Sequence, residues 1–141
     1  MYGRINLSKV NCIVDDKIFH VKPSIEEARD VYHEYCRYKK FESIFPLYIG
    51  DIKYYEWFCY FEDHILIAWQ QTQIYPEDKV AFQIQFAWNY HNPDLELGWS
   101  FNDHVSAWLK LKGYDYLYMG DHEPYMSKLN GYEILKDEEI V

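Results

Sequence analysis

The stretch VAFQIQFAWNYHNPDLELGWSFNDHVSAWLKLKGYDYLYM, residues 80–119, decides the fold. From Val80 to Trp88 the residues alternate, so Phe82, Ile84, Phe86 and Trp88 are expected on one face of a strand and Gln83 and Gln85 on the other. Past Pro93 and Gly98 the period lengthens. Phe101, Val105, Trp108 and Leu109 recur at helical steps, with Ser100 as the expected N-cap and Asp103 three residues on. Lys110 and Lys112 suit the negative end of the helix dipole, and Gly113 stops the helix. Tyr114 to Met119 then returns to a short aromatic strand. Strand, helix and strand in so short a span read as a parallel pair joined by a crossover.

Upstream, two more aromatic and β-branched runs, Tyr54 to Phe61 and Ile65 to Tyr75, precede Val80 across short polar connections. The three runs form an expected antiparallel meander. If Tyr75 pairs with Val80, Thr72 faces Gln83 and Gln70 faces Gln85, and the four polar side chains share one face. That face is either a solvated sheet surface or the floor of a polar groove offering amide donors and acceptors to a substrate. Earlier still, Ser24 and Glu27 sit at capping-box spacing, and Ile25, Ala28, Val31, Tyr32, Tyr35 and Cys36 form one helical face ending near Lys40. Cys12 to Val21 reads as an edge strand, and Phe45 to Asp51 as an irregular stretch broken by Pro46 and Gly50. Downstream, Pro124 to Leu129 suits one or two helical turns, Tyr132 to Leu135 a last strand, and Asp137 to Glu139 an acidic tail. The expected class is α+β: a mixed, mainly antiparallel sheet of about six strands flanked by helices, in one domain over residues 1–141.

Composition narrows the function. With 49% apolar residues the chain can build a core without a disulfide frame. Cys12, Cys36 and Cys59 are widely spaced, which suits reduced, buried thiols. A net charge of −9 argues against general nucleic-acid binding and against an anionic membrane surface, since both need a basic face. No apolar run is long enough to span a bilayer, so a cytoplasmic location is the default. The six histidines show no ligand spacing, so no metal site is expected.

Several motifs then line up in order. Lys128-Leu129-Asn130-Gly131-Tyr132-Glu133-Ile134-Leu135 resembles the Tyr-x-Lys-x-Gly-Phe-x-x-Leu ending of many domains of the GNAT superfamily of N-acyltransferases, with one extra residue at Asn130. The element order is also that of the GNAT fold. Tyr90-His91-Asn92-Pro93, Leu97-Gly98, Tyr116-Leu117-Tyr118-Met119-Gly120 and Met126-Ser127-Lys128 are similar in order and spacing to the C-terminal half of arginyl-tRNA–protein transferases. Tyr35 to Lys40 faintly echoes their Tyr- and Lys-rich helix. The resemblance is carried by the residues from Val80 onward, and by topology before that.

The resemblance implies acyl transfer, acetyl or aminoacyl, onto an amine of a small molecule or peptide. Its donor would be acetyl-CoA or another CoA thioester, or an aminoacyl-tRNA, the one nucleic acid the reading admits. Tyr125 lies nearest the position from which a family tyrosine protonates the leaving group. Glu123, His122 and Asp121 cluster where a base is needed. Gln70, Thr72, Gln83 and Gln85 are the expected substrate face, and Trp88, Gly98, Ser100 and Asn102 the donor side. The helix start departs from the acetyl-CoA pattern: Leu97 to Asp103 holds one glycine, two aromatic residues and a carboxylate where small residues would bare N–H groups to phosphate. A catalytically silent binding or regulatory module on the same fold is the alternative, and assembly with a second copy stays open.

Overall fold

Local chemistry accounts for the two helices. In the computed structural model, which describes residues 1–41 and 54–136, α1 spans Ile25–Lys39. The stretch Phe45 to Asp51 and the acidic tail fall outside the described residues. The Ser24 hydroxyl accepts the Glu27 N–H at 3.1 Å and donates to the Glu27 carboxylate at 2.9 Å. Lys40, in the left-handed region at φ 58°, closes the other end, with the Phe41 N–H donating to the Cys36 carbonyl at 3.1 Å. The second helix, α2, spans Leu97–Leu111 and ends on Gly113 at φ 89°, where the Tyr114 N–H reaches the Leu109 carbonyl.

The start of α2 corrects the expected cap. Glu96 is the N-cap, and the Trp99 and Ser100 N–H groups already donate to its carbonyl at 3.1 and 3.3 Å. Helical bonding therefore begins before the Ser100 hydroxyl is needed. The cause lies just upstream: a 3-10 turn over Pro93–Leu95, capped by the Asn92 side chain, runs into the helix through Glu96.

Among the described residues, seven strands form one mixed sheet: β1 Tyr2–Asn6, β2 Ile18–Phe19, β3 Tyr55–Glu62, β4 Ile65–Tyr75, β5 Val80–Trp88, β6 Tyr116–Asp121 and β7 Tyr132–Leu135. Their order is β2-β3-β4-β5-β6-β1-β7. The meander β3-β4-β5 and the parallel β5–β6 pair are as expected. Two features are not. The strand read over Cys12 to Val21 shrinks to Ile18–Phe19, paired with Tyr60 and Cys59. A strand absent from the sequence reading, β1, inserts between β6 and β7, antiparallel to both. Glu133 on β7 clamps it, accepting from Lys9 Nζ at 2.8 Å, Arg4 Nε at 3.0 Å and Asn6 Nδ2 at 3.2 Å.

Among the described residues, each sheet face carries one α-helix. Phe101, Val105 and Leu109 of α2 are fully buried together with Leu117, Ala81, Phe58 and Ile5. Ala28, Val31 and Cys36 of α1 pack on Trp57, Leu66 and Trp69, and the Trp69 indole N–H donates to the Ala28 carbonyl at 3.0 Å. Filling a site the size of Phe101 contributes about 2 kcal/mol or more in transfer terms, so the two helices fix which sheet positions remain open. Cys36 and Cys59 are buried and Cys12 half-buried, all as free thiols.

Candidate active site

Strands β5 and β6 pair only over Val80, Ala81 and Phe82 against Tyr116, Leu117 and Tyr118. Beyond those residues their C-terminal ends part, and two backbone features accompany the parting. Gly120 on β6 adopts φ 91°, and β5 carries a bulge: Gln71 of β4 opposes Gln85 while Thr72 opposes Gln83, which leaves Ile84 unpaired. A pocket of about 390 Å³ opens in this fork.

The bulge corrects the expected alternation. Downstream of Ile84, Phe86 and Trp88 face α2, and Gln85 faces the α1 side opposite Gln71; upstream, it is Ala81 and Gln83 that face α2. Gln70 consequently opposes Phe86 rather than Gln85. Three of the four expected polar residues, Gln70, Thr72 and Gln83, share the pocket-side face, and Gln70 Nε2 donates to Thr72 Oγ1 at 3.4 Å. Gln70 and Gln83 line the pocket itself.

Trp88, Gly98 and Asn102, expected on the donor side, also line it, as does Tyr125. Ser100 lies elsewhere, against a wider hollow of about 750 Å³ between residues 11–16 and Asp103. That hollow is larger, but few of the expected residues reach it, so the fork is the better candidate. Three buried side-chain atoms of the fork residues have no hydrogen-bond partner: Gln83 Oε1, Asn102 Oδ1 and Trp88 Nε1. Leaving such atoms unmet costs about 1–3 kcal/mol each.

Aromatic rings that the sequence reading did not connect form one wall. Tyr90 stacks between Tyr38 at 3.9 Å and Trp88 at 4.0 Å, with Tyr35 parallel to it at 6.0 Å. Lys39 Nζ lies 5.3 Å from the Tyr90 ring. The signal available in sequence was the i, i+3 spacing of Tyr35 and Tyr38; their meeting with Tyr90 depends on how α1 crosses β5. Burial, with Tyr90 beside it, pushes the Tyr35 hydroxyl up to about 12.

Tyr125 is 58% exposed at the pocket rim, near Trp99. Burial of part of its ring, and secondarily the Glu123 carboxylate, raise its phenol above the ordinary value, while Lys39 acts the other way. Tyr125 therefore stays protonated at neutral pH and is available as a proton donor. Glu123 caps the 3-10 turn Pro124–Lys128 and is exposed beside the pocket without lining it. His122 turns towards β7, its Nδ1 within 2.7 Å of the Tyr132 hydroxyl and its N–H on the Met1 carbonyl at 3.0 Å.

The start of α2 fits a phosphate group poorly. Gly98 is open, with nothing within 4 Å of where a Cβ would stand, but Glu96 and Trp99 flank it on the pocket wall. A carboxylate at the helix N-terminus occupies the favourable place for an anion. Among the described residues, no group of three or more His, Cys, Asp or Glu is placed to hold a metal ion, and no helix is long and apolar enough to cross a membrane.

No protein-family model matches the chain, and neither does any curated protein. Solved structures do. A putative GNAT-family acetyltransferase from Novosphingobium aromaticivorans superposes with a TM-score of 0.68 at 15% identity, covering 96% of this chain and 59% of that one. N-myristoyltransferase from Saccharomyces cerevisiae with bound myristoyl-CoA gives 0.61 at 10% identity, over 92% of this chain and 45% of that one. L-PGS from Bacillus licheniformis gives 0.61 at 14% identity, over 84% and 45%. The chain has the GNAT fold and spans about half the length of these structures.

Proposed function

We propose that this chain is an acyltransferase that moves an acyl group, acetyl or aminoacyl, from an activated ester or thioester onto an amine, with the β5–β6 fork as its site. The observation that supports the reading best is the meeting of Tyr125 with Gln70, Gln83, Trp88, Gly98 and Asn102 at one pocket, on a fold shared with acyltransferases. In this reading the amine nitrogen attacks the acyl carbon and the bond to the leaving oxygen or sulfur breaks. Tyr125 gives the leaving atom its proton, and Glu123, Asp121 or His122 takes the proton from the amine. Gln70 and Gln83 line the substrate side, with Thr72 buried behind Gln70; Gln85 is set behind the sheet by the bulge. Trp88, Gly98 and Asn102 face the acyl group, and Ser100 stands apart from them. The donor is a CoA thioester or an aminoacyl-tRNA, and the acceptor a small-molecule or peptide amine.

A binding module without chemistry is the second reading, and a specific observation favours it: among the described residues, none of the nominated bases Asp121, His122 and Glu123 lines the pocket. One experiment separates the two. Thermal unfolding is followed with acetyl-CoA, with CoA and with pooled aminoacyl-tRNA, since a ligand that binds the native state raises the midpoint. The donor that shifts it is then assayed for turnover. Tyr125→Phe is expected to lower turnover about a hundredfold, a usual share for a general acid, with donor binding unchanged. An unchanged rate removes Tyr125 as the acid, and turnover by no donor leaves the module.

A further inference from the structure

We infer that Glu96 sets the donor specificity of the fork: its carboxylate turns away donors that bring a phosphate to the start of α2, CoA thioesters among them. The inference rests on reading the fork as a site of acyl transfer, and it names the class of donor that the fork refuses.

Three observations meet at Glu96. It is the N-cap of α2, yet its side chain makes no capping hydrogen bond. Its backbone is left-handed, at φ 50° and ψ 46°, where an N-cap is ordinarily extended with its side chain bonded to the first turn. It also lies on the wall of the fork pocket, two residues before Gly98, where nothing stands within 4 Å of a Cβ position. Among the described residues it forms no ion pair. The carboxylate therefore neither caps the helix nor neutralises a neighbour.

Electrostatics gives this placement a sign. The Leu97 and Gly98 N–H groups have no acceptor inside the helix, and the dipole makes the start of α2 a favourable seat for an anion. A donor phosphate would take that seat, and Glu96 brings a fixed negative charge to it first. Lys39 is the cation among the lining residues, so the two charges cancel and the wall offers a phosphate no net attraction. Trp99, exposed beside Gly98, adds bulk where small residues would let a phosphate approach the backbone. The net charge of −9 works in the same direction at longer range. A CoA thioester carries a diphosphate at the far end of its thiol arm, and this wall sets a carboxylate against it. A donor with no phosphate at that place meets no such opposition.

The test is calorimetric titration of the whole chain with CoA and with pantetheine, which has the same thiol arm and no phosphate. The unaltered chain is expected to bind CoA no more tightly than pantetheine. Glu96→Gln removes the charge and keeps the size; it should tighten CoA about tenfold and leave pantetheine unchanged. Glu96→Asp, which keeps the charge, should behave as the unaltered chain. The gain in Glu96→Gln should shrink as salt is raised, since the charge is exposed and screened. Glu96→Gly, at ease at φ 50°, is the second probe if Glu96→Gln unfolds. CoA binding more tightly than pantetheine to the unaltered chain overturns the inference, as does the absence of a gain for CoA in the folded variant. Equal tightening of both ligands makes the effect steric and overturns it too. Turnover of pooled aminoacyl-tRNA, with CoA affinity unmoved by Glu96→Gln, sinks this inference and leaves acyl transfer standing.

Discussion

Ile84 has no partner across the β4–β5 ladder, and that one residue decides which glutamine reaches the pocket. Strict alternation puts Gln83 and Gln85 on the same face; the bulge turns Gln83 to the α2 side and leaves Gln85 opposite Gln71 on the other. The two glutamines should therefore behave differently. Gln83→Ala is expected to weaken binding of the acceptor amine about tenfold, with the melting temperature held, because its side chain lines the pocket. Gln85→Ala is expected to leave that binding unchanged. Titration of both variants checks this, and equal losses would mean that the two side chains share the site after all. Nothing in a run of alternating residues marks a bulge, because its cause is the partner strand's register. Trp88, Gly98, Asn102 and Tyr125 were legible as candidates only through the resemblance to the GNAT superfamily, which implies where a proton donor and a donor side would lie.

At the scale of elements, the helices were readable and two of the strands were not. The first helix carries its signals within its own span: a cap at Ser24, a buried stripe and a stop at Lys40. Ser24→Ala removes the acceptor for the Glu27 N–H and should cost about 1 kcal/mol, read as a lower denaturant midpoint at unchanged slope. The second helix was placed correctly but started too late, since the bonds to the Glu96 carbonyl depend on the turn before it. The strand Tyr2–Asn6 is short, with a glycine inside and Ile5 as its one large buried residue; it is a strand because Tyr116–Asp121 and Tyr132–Leu135 offer it two edges. Those edges lie more than a hundred residues away in sequence, beyond the reach of any local pattern.

Across the whole molecule, acid should loosen the fold in two stages. His104 Nδ1 accepts the Asp15 N–H at 2.8 Å, so in the neutral ring its Nε2 carries the hydrogen and donates to His20 Nε2 at 2.9 Å. Phe58 and Trp108 pack around His20. Protonating His104 removes the acceptor for Asp15, and protonating His20 sets two N–H groups against each other. Burial, and then His20, lower His104 from 6.5 to about 4, with Asp15 opposing; burial, and then Lys112, lower His20. The folded state binds these protons less readily than the unfolded one. The stabilisation is therefore complete above about pH 6.5 and falls away as the pH drops towards about 4. Glu133 follows. Lys9 first, then Asn6 and Arg4, hold its carboxyl down at about 2, so the clamp on the N-terminal strand is full above 4.5 and lost as the pH falls through about 2. Melting temperatures measured from pH 7 to 3 should show the first decline, and His104→Gln, which keeps an acceptor for Asp15 but cannot titrate in this range, should flatten it. An unchanged decline in that variant would place its cause elsewhere.

By itself, the sequence determined the α+β class, the meander, both helices and the parallel crossover, because each is set by residues within one or two turns of one another. It also supplied the residues that meet in the fork. Only the tertiary structure decided that the strand at the N-terminus completes the sheet, that β5 slips by one residue at Ile84, and that Tyr35, Tyr38 and Tyr90 gather into one wall. Those outcomes depend on which distant edge, register and helix crossing bury the most surface while pairing the most backbone groups, and that balance is struck only when the whole chain packs.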